Sequence, residues 1–212
     1  MKEVSTYIFD MDGTIYQIDG NPKGFRGSSL ESSVIENAKQ FVQQKENCSE
    51  EAAQQIVQEG LKDGVGLSNY FSKRYGISRE EYFQITWNIS PENIVQNFEI
   101  AVEIIRSLKK DEKYLILLTS APEIWQQIVT GFIGILPYFD EVYTGEKFGS
   151  KTEMFELFAG RFVPEMVMSV GDQMTTDIEP AEKFGMQTLL VSSPSDLSKL
   201  ITPSQSECEA NA

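Results

Sequence analysis

The sequence predicts an α/β fold: a doubly wound parallel sheet with a small all-helical domain inserted after the first strand. Two observations carry this. Short, almost continuously apolar runs recur at Tyr7–Phe9, Tyr114–Leu118, Val142–Thr144, Met166–Val170 and Thr188–Val191, the pattern of parallel strands buried on both faces. Helical patterns lie between the later runs, over Glu123–Phe132, Thr152–Gly160 and Ile178–Phe184. Alternation of strand and helix implies right-handed crossovers and a doubly wound sheet.

The stretch from Tyr16 to Phe98 reads differently. No strand run stands out in it. Val34, Ile35, Ala38, Phe41 and Val42 recur at helical spacing, as on the buried face of an amphipathic helix. Ser49 is placed to cap a helix carrying Ala52, Ala53, Ile56 and Val57. Ser78 followed by Glu81 is a capping-box pattern, and Gly64, Gly66 and Gly76 punctuate the segment. Phe98–Lys110 is expected to be the helix that leads back into the sheet. Residues 1–15 and 99–201 are thus expected to form one core and 16–98 a helical insertion, with a polar, frayed tail over 202–212.

Composition narrows the chemistry. The chain has 212 residues, of which 41% are hydrophobic, and a formal net charge of -14. That apolar content supports a buried core. Such acidity argues against a nucleic acid polymer or an anionic membrane as partner, because both select positive patches. A small anionic substrate stays compatible, since a site needs only local positive charge and a metal ion. The chain has no histidine, which removes histidine triads, bases and metal ligands together. Cys48 and Cys208 lack metal-ligand spacing and read as free thiols of a reducing compartment. No apolar run approaches the ~20 residues that span a bilayer, and the N-terminus lacks a cleavable leader pattern. A cytoplasmic protein, monomeric or homodimeric, is expected.

The chemical signal is acidic. Asp10-Met11-Asp12-Gly13-Thr14 follows directly on the first strand run. In extended chain Asp10 and Asp12 point the same way, and two carboxylates so close repel unless a cation sits beside them. A hard, oxygen-seeking ion such as Mg2+ meets that demand, and Gly13 permits a tight turn. Gly171-Asp172-Gln173-Met174-Thr175-Thr176-Asp177 follows the fourth strand run. Both clusters therefore fall at the C-terminal edge of the sheet, where open α/β folds bind ligands. Asp177 by itself fits a helix N-cap as well as a metal role. Thr119-Ser120 ends the strand Tyr114–Leu118 and offers hydroxyls to a phosphoryl oxygen. Lys147 and Lys151 lie in the loop after Val142–Thr144, and a cation there would balance the carboxylates; either alone also reads as a surface lysine.

Taken in order, these features resemble the haloacid dehalogenase-like (HAD) hydrolase superfamily over about Ser5 to Leu200. DMDGT matches its first motif, LILLTS its second through Thr119, the lysine of SKTEMFELF its third, and GDQMTTD its fourth. The resemblance implies a Rossmann-like core with a helical cap, and a Mg2+-dependent phosphatase acting on a small phosphorylated metabolite. Asp10 is then the implied nucleophile and Asp12 the implied general acid/base, with Thr119 and Lys151 completing the catalytic set. Lys151 fits the third motif better than Lys147. Asp10, Asp12 (through its carbonyl), Asp172 and the nearby Asp177 are the implied metal group. Gly13, Thr14, Tyr16 and Ser120 are the implied substrate-binding residues. Dehalogenases of the superfamily do not need an acidic residue two positions after the nucleophile, so Asp12 favours phosphoryl transfer. Two positions depart from the usual pattern: Ser120 stands where asparagine is frequent, and Thr152 where proline is.

More loosely, the stretch SEEAAQQIVQEGLKDGVGLSNYFSKRYGISREEYF resembles the cap of the pyrimidine 5'-nucleotidase branch. Tyr16, Phe25, Tyr70, Phe71, Tyr82 and Trp87 would then stack on a base, although each also fits ordinary packing inside the cap. A nucleoside 5'-monophosphate is the expected substrate. A sugar-phosphate or phosphoglycolate phosphatase, a phosphomutase, and a non-catalytic ligand-binding protein on the same fold are the alternatives.

Overall fold

A computed structural model describes residues 2–20 and 24–201. The expected tail, with Cys208, lies outside the described residues. The chain runs β1 (Thr6–Phe9), β2 (Gln17–Ile18), α1 (Ser29–Glu46), α2 (Glu50–Lys62), α3 (Leu67–Tyr75), α4 (Arg79–Thr86), β3 (Val95–Gln96) and α5 (Glu99–Lys110). It continues through β4 (Tyr114–Leu118), α6 (Glu123–Phe132), β5 (Glu141–Tyr143), α7 (Lys151–Arg161), β6 (Val167–Gly171), α8 (Glu179–Lys183) and β7 (Gln187–Leu190).

The main sheet has five strands in the order β5-β4-β1-β6-β7, and every neighbouring pair is parallel. Side chains alternate between its faces as the pleat requires. Tyr7 and Phe9 of β1 join Leu115 and Leu117 of β4 under α5 and α6, where Ile105, Leu108 and Trp125 pack. Ile8, Ile116 and Leu118 point the other way, onto Phe155 and Phe158 of α7 and Ala181 of α8. Both faces are buried, which is why the strands read as apolar runs without polar alternation.

The strand order has a functional consequence. From β1 the chain builds outward to β4 and β5, then returns to lay β6 and β7 on the other side. Phe9 is level with Leu117 of β4 and with Val170 of β6. The residues after these three strands, Asp10, Thr119 and Asp172, therefore emerge side by side at the C-terminal edge, where the strand order reverses.

Between β2 and β3 the described residues form four helices, α1 to α4. Ser28, Ser49 and Ser78 cap α1, α2 and α4, and Ser78 with Glu81 forms the expected capping box. Ala38, Val42, Ala53, Val57 and Tyr82 gather around Phe71 in a hydrophobic cluster separate from the sheet. Leu30 and Val34, on the first turns of α1, join the cluster of the main sheet instead, so α1 reaches from one core to the other.

One expectation for this region fails. Gln17–Ile18 and Val95–Gln96 pair as a short antiparallel ladder, although no strand stood out in the sequence there. A ladder of two residues per strand is too short for periodicity to register, and its partner lies far along the chain. Asn97 donates to Gln17 Oε1 at 2.7 Å across the same junction, so the two connections between sheet and helices are tied to each other. Lys151, read beside Lys147 after Val142–Thr144, opens α7 as its first residue with Ser150 as N-cap, as a lysine leading the helix of SKTEMFELF would.

Candidate active site

The loop after β1 turns tightly. The N–H groups of Thr14 and Ile15 donate to the Met11 carbonyl, and Gly13 N–H donates to the Tyr16 carbonyl. Gly13 has φ +87, and a Cβ there would collide with the Asp172 carboxylate. Glycine is thus required twice, by backbone conformation and by the close approach of the β1 and β6 loops.

Asp10 is buried, and each of its carboxylate oxygens has a partner. Lys151 Nζ donates to Oδ1 at 2.5 Å, and Thr14 Oγ1 donates to Oδ2 at 3.1 Å. The same ammonium reaches Asp177 Oδ1 at 2.7 Å. Asp177 sits in a single π-turn, Met174–Ile178, where its Oδ2 accepts the Gln173 N–H at 3.0 Å. π-turns frequently mark functional sites. Asp177 is consequently not the N-cap of α8, and Lys151 is the lysine of the cleft. Lys147 points away, half-exposed and paired with Glu123 at 3.2 Å.

Asp10, Asp172 and Asp177 each offer a carboxylate oxygen within 4.8 Å of the others. Asp172 Oδ1 is buried and takes no hydrogen bond from the described residues. Three carboxylates face one ammonium here, so with all three ionised two negative charges stay uncompensated. An all-oxygen donor set with an orphaned carboxylate oxygen and that residual charge suits a hard divalent cation. The Asp12 carboxylate is not part of this group.

Asp12 instead turns to a different set of partners. Tyr16 Oη donates to Asp12 Oδ1. Trp125 Nε1, in the first turn of α6, donates to the same Oδ1 at 3.3 Å and to Tyr16 Oη at 2.9 Å. Tyr16 and Trp125 are wholly buried.

The electrostatics separate the carboxylates further. Burial, reinforced by the Asp177, Asp172 and Asp12 charges, pushes the Asp10 carboxyl up to about 8 against the pull of Lys151. Burial and the Asp177 charge push Asp172 up to about 6. Asp12 is also raised by burial, with the Tyr16 and Trp125 hydrogen bonds opposing. Burial alone would lower Lys151, but Asp10 and Asp177 outweigh it and hold the ammonium charged. Lys151 is therefore the fixed charge of the pair, and Asp10 is the group whose protonation responds to what binds beside it.

The remaining expected residues sort clearly. Thr119 is buried, and its Oγ1 accepts the Ala121 N–H at 3.0 Å, leaving its own O–H available as a donor. Ser120 is exposed on a pocket of about 290 Å³ that also touches Lys151, Thr152 and Thr176. Of the residues expected to bind substrate, Thr14 donates its hydroxyl to Asp10 and Tyr16 donates its hydroxyl to Asp12. Phe71 and Tyr82 fill the helical cluster, and the Tyr70 ring lies where a side chain on Gly60 would go. Phe25 and Trp87 stack on each other, with centroids 5.1 Å apart, beside a cavity of about 200 Å³. Trp125 was not singled out in the sequence, where it is one apolar residue in a helical run.

Fold and site together define an α/β enzyme with an acidic cleft at the C-terminal edge of its parallel strands. The chain belongs to the haloacid dehalogenase-like hydrolase family, whose model matches residues 4–185. Among characterised proteins it is similar to glyceraldehyde 3-phosphate phosphatase from Methanocaldococcus jannaschii, with 26% identity over 200 residues, 87% of this chain and 83% of the relative. Among solved structures it is similar to a HAD phosphatase from Thermococcus onnurineus, with a TM-score of 0.65 and 20% identity over 93% of this chain and 97% of that one. The HAD-hydrolase YfnB from Bacillus subtilis, solved bound to magnesium, aligns with a TM-score of 0.53 and 18% identity over 90% and 89%. Among the described residues no helix is long and apolar enough to cross a membrane.

Proposed function

We propose that the chain is a magnesium-dependent phosphatase that hydrolyses a small phosphomonoester through an aspartyl-phosphate on Asp10. One observation carries this reading: Asp10 and Asp12, two residues apart, sit in separate environments. Asp10 belongs to the charged group with Lys151, Asp172 and Asp177, whereas Asp12 is held apart by neutral donors. Two carboxyl groups in unlike surroundings can take unlike roles, one as nucleophile and one as acid/base.

In this reading Asp10 attacks phosphorus in line, and its new O–P bond forms as the ester P–O bond breaks. Protonated Asp12 gives its proton to the departing alkoxide, which leaves as the alcohol. The resulting Asp12 carboxylate then takes a proton from a water molecule whose oxygen attacks phosphorus. The Asp10–phosphorus bond breaks, inorganic phosphate leaves, and Asp12 is protonated again. No histidine is needed. Lys151 and the Thr119 hydroxyl hold phosphoryl oxygens as charge shifts onto them. Asp10, Asp172 and Asp177 through their carboxylates, and Asp12 through its main-chain carbonyl, would hold Mg2+. Bound there, the ion neutralises charge so that an anionic nucleophile can approach a phosphate dianion. The magnesium-bound relative supports this choice of ion.

Residues 16–98 act as a cap over this cleft and the rest of the described chain as the catalytic core. The favoured substrate is a small phosphorylated metabolite of triose size, on the support of the glyceraldehyde 3-phosphate phosphatase relative and of the loss of most expected base-stacking aromatics to packing. A nucleoside 5'-monophosphate is the second reading, favoured by the Phe25–Trp87 stack beside the cap cavity. A phosphate-release screen with Mg2+ across triose phosphates, sugar phosphates, phosphoglycolate and nucleoside monophosphates tests both. Preference for nucleoside monophosphates would overturn the first reading. Phosphate retained on a rearranged sugar would indicate a mutase, and binding without turnover a non-catalytic protein.

A further inference from the structure

The pair that surrounds Asp12 has a geometry that packing alone does not require. A carboxylate on an aspartate turns readily about its last torsion, because sp3–sp2 rotations are broad and nearly two-fold. Its two oxygens exchange places unless something distinguishes them. Here Oδ1 receives both the Tyr16 hydroxyl and the Trp125 N–H. Among the described residues, Oδ2 receives no hydrogen bond from the protein. The groups come from two parts of the chain: Asp12 and Tyr16, four residues apart in the loop after β1, and Trp125 in the first turn of α6.

A buried phenol and a buried indole need partners wherever they sit. The indole's need is met by the phenol oxygen, since Trp125 Nε1 donates to Tyr16 Oη at 2.9 Å, while the phenol O–H still needs an acceptor. The hydroxyl is then free to donate to any nearby acceptor, and it donates to the carboxylate of Asp12 and not to a main-chain carbonyl. Neither ring is free to drift, because Tyr16 and Trp125 are both 0% exposed and belong to the main hydrophobic cluster.

We infer that Tyr16 and Trp125 are positioning residues that pin Asp12 through Oδ1 and so reserve Oδ2 for proton exchange with the ester oxygen and with the attacking water. The inference rests on the reading of Asp12 as acid/base. A proton transfer of this kind needs its donor atom within hydrogen-bond reach of the leaving oxygen, and a misplacement of about 1 Å can cost on the order of 100-fold in rate. In the hydrogen bonds of the described residues, the side chains of Tyr16 and Trp125 touch neither the Asp10, Asp172 and Asp177 carboxylates nor Lys151 and Thr119, the donors to the phosphoryl oxygens. Their removal is therefore expected to affect proton delivery and to spare nucleophilic attack.

Leaving-group chemistry separates these two effects. Nitrophenolate departs without a proton, whereas the alkoxide of glycerol phosphate does not. Tyr16→Phe keeps its ring and removes the O–H, whereas Trp125→Phe keeps an aromatic ring, removes the N–H and leaves a cavity where the indole packs. With Mg2+ present, each is expected to lower kcat/KM for glycerol phosphate by about tenfold. For 4-nitrophenyl phosphate, each is expected to change kcat/KM by less than about threefold. Equal losses on both esters would mean general damage to the site and would overturn the inference, as would no loss on glycerol phosphate. Asp12→Asn is measured alongside. If it shows no preference between the esters, the acid/base reading itself fails and the positioning inference falls with it. If it shows the preference and the two ring variants do not, the positioning inference alone fails. Tyr16→Phe carries the test by itself should Trp125→Phe not fold, as judged by its thermal unfolding.

Discussion

Lys151 Nζ lies 2.5 Å from Asp10 Oδ1, and both side chains are buried. The contact joins the first turn of α7 to the end of β1 and places the cation that lets Asp10 ionise away from water. Breaking a buried pair by removing one partner strands the other charge, at a typical cost of about 3–5 kcal/mol. Asp10 escapes part of that cost by taking up a proton, so the lower end applies. Lys151→Met should therefore lose phosphatase activity and destabilise the protein by about 3 kcal/mol, read by denaturant unfolding. Lys151→Arg should restore little activity, because a planar guanidinium cannot reach Asp10 and Asp177 as a compact ammonium does. An active methionine variant would remove Lys151 from the site.

Asp10→Asn separates chemistry from folding in the opposite sense. The amide retains the size of the carboxyl group and removes a charge that burial disfavours. The variant should stay folded, with thermal stability close to or above that of the parent without metal, and should release no phosphate. Trapping of phosphate on the parent by acid quench, and its absence in the variant, would identify the nucleophile. Retained turnover would sink Asp10 in that role.

Much of this cleft was legible in the sequence, for a physical reason. Asp10, Thr119 and Asp172 each follow an apolar strand run, and parallel strands in a doubly wound sheet deliver their C-terminal ends to one edge. The serine caps of α2 and α4, Ser49 and Ser78, rest on similarly local contacts. The sequence was silent wherever a partner lies far along the chain. The β2–β3 ladder joins residues almost eighty positions apart. Trp125 meets Asp12 across 113 positions, and nothing in the run EIWQQIVTGF distinguishes a core tryptophan from one that holds a carboxylate. Thr14 and Tyr16 follow closely on Asp10 and Asp12, and each hydroxyl turns back to one of those carboxylates. In the folded chain that proximity is used within the protein.

Gly13→Ala tests the closeness of the β1 and β6 loops. A non-glycine residue in the left-handed region costs about 1–2 kcal/mol, and the new methyl group would also displace the Asp172 carboxylate. Both effects act where the metal ligands converge. Mg2+ affinity, followed by calorimetric titration, should weaken by about tenfold or more, as when supporting contacts of a metal site are disturbed. Loss of stability with unchanged Mg2+ affinity would place Asp172 outside the metal site.

The acidic group also sets a pH dependence whose sign is unusual for carboxylates. Asp172 is raised to about 6 and Asp10 to about 8, whereas in the unfolded chain both return to about 4. Between these values the folded protein binds protons that the unfolded chain does not, so metal-free stability falls as pH rises through the window. The slope is at most about 1.4 kcal/mol per pH unit for each group. Glu141 acts oppositely at lower pH: Arg161 holds its carboxyl down to about 2, so its contribution is complete above the usual carboxylate range and is lost as pH falls toward 2. From these groups the metal-free protein should be most stable near about pH 4 and lose stability toward about pH 8. Mg2+ binds the ionised carboxylates, so saturating Mg2+ should raise the melting temperature more at about pH 8 than at about pH 5 and flatten the decline. Thermal scans in chelator and in excess Mg2+ across this range measure it. A metal-free profile flat from about pH 5 to about pH 8 would mean that Asp10, Asp172 and Asp177 do not carry the uncompensated charge that a divalent ion would meet.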